Sequence, residues 1–180
     1  KLHPGIELKI ISSNSNEILE QLYNFKIDLG VIGKPLKENF KSDLFYIPYL
    51  KQKIVIIAGK GSRLYNKQTI KLHELNDANF INRETGSETR KVFEDCLNKA
   101  SVKVNTIMEV SRTTMVQAVK ENIGLGLISE PEFDNYKDIK KIHIEDFDIF
   151  TQAYLICLKK KKTDNLVNAF IETAKKIILE

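Results

Sequence analysis

Nine consecutive residues, Asn82-Arg83-Glu84-Thr85-Gly86-Ser87-Glu88-Thr89-Arg90, carry the densest recognition chemistry in the sequence. The order reads as the end of a strand, a glycine turn and the start of a helix. The free backbone N–H groups of a helix start attract an anion. Ser87 and Thr89 can donate hydroxyls, and Arg83 and Arg90 can offer planar forks to carboxylate, sulfate or phosphate. On these nine residues alone, an anion site and a plain N-cap with surface charges stay equally open.

Other reactive patterns are weak. No Lys follows Gly86, so the stretch is not a P-loop. Gly124-Leu125-Gly126 precedes a strand, so it is not a dinucleotide fingerprint but a helix C-cap and turn. Cys96 falls on the apolar face of a helix and Cys157 in an apolar strand, which suits core thiols rather than nucleophiles. No Gly-x-Ser-x-Gly elbow occurs. Asp28 reads as a strand-start polar group, and Glu145, Asp146 and Asp148 as a solvated loop. His3, His73 and His143 are scattered without ligand spacing, so no metal site and no cofactor are expected. With no convincing acid/base pair, an enzyme is the weaker class.

These residues must be positioned by a chain of 180 residues and 20.7 kDa, enough for one large domain or two small lobes. Hydrophobic residues make up 42% and charged residues 29%, which suits a folded globular protein. No apolar run approaches the roughly 20 residues of a membrane helix. Two cysteines cannot form a disulfide framework, so a reducing, cytoplasmic setting is expected. The net charge of +4 is small. The one dense basic run, Lys159 to Lys162, reads as a solvated helix start rather than a DNA contact. The chain opens Lys1-Leu2-His3-Pro4, without Met or a signal peptide, and ends Leu179-Glu180, a dipeptide common at cloning junctions. A fragment is therefore expected.

The periodicity predicts an α/β fold. Residues 6–12 alternate and read as a strand. Asn14 with Glu17 resembles a capping box ahead of Ile18, Leu19, Leu22 and Tyr23. Residues 27–32 form a buried strand, so the opening reads as β-α-β with a parallel crossover. Strands are expected at 44–50, 53–58, 78–81, 104–110, 125–129, 139–144 and 150–158. A short helix is expected near Leu72–Leu75. Ser87 caps a helix buried through Val92, Phe93, Cys96 and Leu97, and Ser111 caps one burying Met115, Val116 and Val119. A final helix over 165–178 carries the stripe Leu166, Val167, Phe170, Ile171, Ala174, Ile177 and Ile178.

In order, these segments resemble the effector-binding domain of LysR-type transcriptional regulators. His3-Pro4-Gly5-Ile6-Glu7-Leu8 is similar to the family's YPxVxL strand entry, with His for the usual Tyr. Ser15 to Ile18 and Ile27-Asp28-Leu29-Gly30-Val31-Ile32 resemble its helix and iDlgi strand, and Tyr49 to Ala58 its crossing segment. Residues 82–90 are similar to the REpGSGTR of a subgroup that includes sulfur-assimilation and carbon-fixation regulators. Val116 to Ser129 resembles V..GlGi.ilS. The resemblance covers nearly the whole chain.

The resemblance implies a two-lobed, periplasmic-binding-protein-like (type 2) fold with two crossing hinge strands. Lobe one would be residues 1–48 plus 157–180 and lobe two residues 49–156. An effector would sit between the lobes, and no catalytic residue is expected. Matching ligand positions are Gly33, Lys34, Thr85, Gly86, Ser87 and Thr89. Arg83 and Arg90 are added on charge grounds, and Ser111, Thr113 and Thr114 lie at the next helix start. The winged helix-turn-helix is absent from the sequence, as are the first strand and helix of lobe one, so the domain is expected to be N-terminally truncated. Implied partners are a small anionic metabolite, further copies of the chain as a homodimer or tetramer, and DNA only through the missing N-terminal domain. Competing readings are a transport solute-binding protein and an enzyme on the same scaffold.

Overall fold

Five consecutive aliphatic residues, Ile54 to Ala58, are all buried. A strand sends successive side chains to opposite faces, so such a run needs an apolar layer on both sides. The computed structural model, which describes residues 5–33, 42–134 and 136–179, provides both layers. Ile54, Ile56 and Ala58 join one core with Phe80, Phe93, Leu97, Leu125 and Leu127. Val55 and Ile57 join the other with Ile81, Met115, Val116, Val119 and Ile128.

In chain order the elements are α1 (Ser15–Tyr23), β1 (Gly30–Ile32), β2 (Leu44–Gly59), β3 (Thr69–Ile70), a 3₁₀ turn (Leu72–Leu75) and β4 (Asn79–Arg83). Next come α2 (Glu88–Lys99), β5 (Asn105–Val110), α3 (Arg112–Lys120), β6 (Gly126–Ser129) and the short α4 (Glu130–Phe133). β7 (Ile139–Ile144), β8 (Phe150–Leu158), a second 3₁₀ turn (Lys159–Lys161) and α5 (Asn165–Leu179) complete the chain. The chain divides into two compact units: unit 1 is Lys1–Leu50 with Gln152–Glu180, and unit 2 is Lys51–Thr151. β2 and β8 run from one unit into the other.

In unit 2, β2 pairs antiparallel with β6 (Ile54 opposite Ser129) and with β7 (Ile56 opposite Ile142). β3 lies parallel to β7, and β4 parallel to β5 with an irregularity at Phe80/Ile81. A parallel bridge from Phe80 to Leu125 joins β4 to β6, reinforced by Ile81 N–H to Leu125 O at 2.8 Å and Leu125 N–H to Asn79 O at 2.9 Å. β4, β5 and β6 therefore run in one direction, and their C-terminal ends meet at one edge. α2 covers one face through Phe93, stacked at 5.0 Å on Phe80, and α3 covers the other through Met115, Val116 and Val119.

In unit 1, β1 pairs antiparallel with β8 (Gly30 opposite Ile156). α1 packs Ile18, Leu19 and Leu22 against Ile32, Leu44, Ile156 and Leu158. α5 packs Val167 and Ile171 against Leu155 and Cys157 on the other face. Asn14 caps α1, its side-chain oxygen accepting the N–H groups of Asn16 and Glu17 at 3.1 Å each. Such a cap stabilises a helix by about 1 kcal/mol. The Glu17 carboxylate accepts the Ser13 hydroxyl.

Several sequence expectations need correction. Residues 6–14 form no strand, and Leu8, Ile10 and Ile11 are exposed, so the parallel β-α-β opening is not formed. Alternation gave these residues strand propensity, but propensity without a pairing partner does not make a strand. The expected strands at 44–50 and 53–58 are one continuous strand, because Lys51-Gln52-Lys53 keeps the extended backbone while its side chains remain partly solvated. Ser87 and Ser111 occupy N-cap positions, but neither makes a side-chain capping bond. In α5, Leu166, Phe170 and Ile177 of the expected buried stripe are exposed. Asp146 is not merely solvated, since its carboxylate accepts the Leu72 N–H at 2.8 Å.

Candidate functional site

The turn between β4 and α2 follows from its sequence. The Ser87 N–H bonds Glu84 O at 3.2 Å, closing a four-residue turn whose third residue is Gly86. Gly86 has φ 96°, as a type II turn requires at that position, and a side chain there would be strained. The turn sets Ser87 and Glu88, both buried, at the start of α2.

Alternation along the strands aims two more polar residues at the same region. Phe80 lies in the α2-side core and Ile81 in the α3-side core, so Asn82 returns to the α2 face. Leu127 and Ile128 fix Ser129 on that face in the same way. Each is 5% exposed. Asn82 Nδ2 donates to Thr106 Oγ1 at 2.9 Å, while Asn82 Oδ1 and Ser129 Oγ are buried without a hydrogen-bond partner. Buried polar atoms are nearly always satisfied, so two orphans at the C-terminal edge of adjacent parallel strands point to a ligand or water. That edge is also where open α/β sheets bind ligands.

Ion pairs fill the rest of the edge. Arg83 forms a two-pronged contact with Glu84 (Nε to Oε2 3.0 Å, Nη2 to Oε1 2.9 Å), which holds the Glu84 carboxyl below its ordinary range. Arg90 Nε donates to Glu94 at 2.7 Å, and its Nη1 meets Glu109 at 2.7 Å and Arg83 O at 2.9 Å. The two carboxylates push the guanidinium pKa upward. Glu109, on β5 opposite Asn82, also accepts the Thr85 N–H and the Thr85 hydroxyl, each at 3.0 Å. Arg90 first, and Thr85 after it, hold Glu109 below the ordinary carboxylate range.

The expected site residues fall into three groups. Arg83, Thr85, Gly86, Ser87, Thr89 and Arg90 lie together at the β4–α2 junction of unit 2. Ser111 and Thr113 lie at the start of α3; both are exposed, and the Ser111 hydroxyl sits 3.1 Å from that of Thr114. Gly33 belongs to unit 1, where its N–H reaches Ser15 Oγ at 3.4 Å. Lys34 lies outside the described residues. Sequence reasoning passed over Glu109 and Ser129 and gave Asn82 no role. For Ser129 the signal was a polar side chain closing the otherwise apolar strand Gly126–Ser129; Glu109, followed by Val110 in a strand that also holds Asn105 and Thr106, carried no such signal. Burial raises the thiol pKa of both Cys96 and Cys157, consistent with packing roles. Among the described residues no cluster of three or more His, Cys, Asp or Glu could hold a metal, and no helix is long and apolar enough to cross a membrane.

Comparison with known proteins agrees with this architecture. The family model described as LysR substrate binding domain matches residues 1–177. The chain is 28% identical to the HTH-type transcriptional activator CmpR of Synechocystis over 174 residues, covering 94% of this chain and 56% of that protein. It is 26% identical to the RuBisCO operon transcriptional regulator of Allochromatium vinosum, covering 94% and 57%. It thus spans little more than half the length of these relatives, which are named as transcriptional regulators rather than enzymes. Among solved structures, the CcmR regulatory domain of Synechocystis PCC6803 in complex with 2-PG matches with a TM-score of 0.85 and 26% identity, covering 98% of this chain and 86% of that one. With a family model matching nearly end to end on a two-unit α/β fold, the chain belongs to the LysR substrate binding domain family.

Proposed function

We propose that this chain is the ligand-sensing domain of a LysR-type transcriptional regulator and that unit 2 recognises a small anionic metabolite at the C-terminal edge of β4, β5 and β6. The observation that carries the reading is the pair of buried, unpartnered oxygens of Asn82 and Ser129 beside the start of α2. The ligand contacts fall to Thr85, Gly86, Ser87, Thr89 and Arg90, with Arg83 buttressing the turn. Residues 1–48 with 157–180 make effector-binding lobe I, and residues 49–156 make lobe II.

The anion class follows from the donors: backbone N–H groups, hydroxyls and a guanidinium suit a carboxylate or phosphate monoester. The 2-PG held by the CcmR domain has that chemistry. In the whole protein, effector binding favours one arrangement of the domain over another and so shifts DNA binding by a helix-turn-helix segment outside these 180 residues. The shift is bounded by the difference in affinity for the two arrangements. The regulator works in the cytoplasm as a homo-oligomer. Because the relatives are regulators, transport is the less favoured reading.

Calorimetric titration of the chain with 2-phosphoglycolate, inorganic phosphate and sulfate tests the proposal. Binding of at least one anion is expected, weakened about tenfold, or about 1.4 kcal/mol, by Ser87→Ala and by Ser129→Ala. Because the Ser87 side chain makes no capping bond, thermal stability should hardly change in Ser87→Ala. Unchanged affinity in both variants would refute the site.

A further inference from the structure

Glu109 is bound as a ligand would be bound. One carboxylate oxygen takes both the Thr85 N–H and the Thr85 hydroxyl, and the other takes the Arg90 guanidinium at 2.7 Å. A backbone amide, a hydroxyl and an arginine form the donor set that recognises a free carboxylate or phosphate. The side chain is not a buried structural anchor, since 43% of it stays exposed and it can swing into water. Its register partner is Asn82, which contributes one of the two buried orphan oxygens at this edge.

We propose that Glu109 is a tethered anion that occupies the effector's donors at Thr85 and Arg90 and must be displaced when an effector carboxylate or phosphate binds. This deepens, and rests on, the reading of unit 2 as an anion-recognising lobe. A covalently attached competitor is present at high effective concentration. The apparent affinity for a free anion is therefore reduced by the fraction of time in which the donors are occupied. Displacement also unties the β4–α2 turn from β5, so effector occupancy is read out as a changed link between those two elements. A molecule with a single acceptor oxygen cannot replace both of Glu109's contacts, so the tether also selects for a terminal group with at least two oxygens.

The test titrates 2-phosphoglycolate and inorganic phosphate into the full 180-residue chain and into Glu109→Gln, Glu94→Gln and the double variant Glu109→Gln/Thr85→Val. Glu94→Gln controls for charge, because Glu94 pairs with the same arginine, whereas the Thr85 N–H and hydroxyl bond Glu109. Expected are affinities at least about fivefold tighter in Glu109→Gln, a smaller gain in Glu94→Gln and loss of the gain in the double variant. If Glu109→Gln destabilises the fold, Glu109→Asp, one methylene shorter, should give a gain in the same direction. Equal or weaker binding in Glu109→Gln while the wild type binds would make Glu109 a turn buttress; the tether would be wrong and the anion site would stand. Equal gains in Glu109→Gln and Glu94→Gln would reduce the effect to net charge and overturn the tether. No binding to wild type or any variant would overturn both readings.

Discussion

At the residue scale, the recognition edge combines two kinds of polar group with different consequences. Asn82 and Ser129 are neutral and buried, so they titrate with nothing. Glu84 and Glu109 are partly exposed carboxylates held by arginines, and both are pushed below their ordinary range. A carboxylate with a lowered folded-state pKa contributes stability above its unfolded pKa, about 4.3, and loses it as pH falls through the folded value. Stability should therefore drop on acidification below about pH 4.3. Thermal melts across that range should show a shallower acid limb in Glu109→Gln than in wild type, whereas an identical slope would contradict the ion-pair geometry. The turn at Gly86 was legible in the sequence, because glycine before serine at a strand–helix junction has few alternative uses. Glu109 was not, because its contact with Thr85 depends on a β4–β5 register that includes an irregularity. No local pattern encodes such a register.

At the element scale, α5 separates propensity from burial. The sequence stripe correctly marked Val167 and Ile171, which pack on β8. It also marked Leu166, Phe170 and Ile177, which are 64%, 42% and 63% exposed. Periodicity gives the width of an apolar face but not how much of it a neighbour covers. Leu166→Asn should change stability by no more than about 0.5 kcal/mol, whereas Ile171→Ala should cost about 2–5 kcal/mol in urea unfolding. Similar losses in both would mean that the 166–170–177 face is covered in solution. Residues 6–12 make the same point for strands: alternation was present, yet among the described residues they belong to no strand. β6 and the buried half of β2 were read well because continuous apolar runs leave little choice, although the reading broke β2 into two strands.

At the scale of the whole molecule, the two units differ in how they are closed. Unit 2 is one continuous stretch, Lys51–Thr151, with a core on each face of its strands and its ends tied by Ile54 N–H to Ile149 O at 2.8 Å. Unit 1 needs both ends of the chain, since α1 and β1 are completed by β8 and α5. A fragment spanning 51–151 should therefore melt cooperatively by circular dichroism, and one spanning 1–50 should not. A non-cooperative melt of the longer fragment would show that unit 2 depends on the rest. Composition and periodicity alone led only to α/β; the two-unit division came from the resemblance, because no linker marks the boundary.

That interruption of one unit by the other sets a timetable during synthesis. On the ribosome, residues 51–151 emerge before Ile156 and Leu158, which complete the core of α1 and β1. The nascent chain can complete the recognition edge while α1 and β1 wait for Ile156 and Leu158. At about 5–20 residues per second, that wait is a matter of seconds. During it the apolar sides of α1 and β1 are open to chaperones and to neighbouring nascent chains, so of these two units the one begun first is the last to be protected.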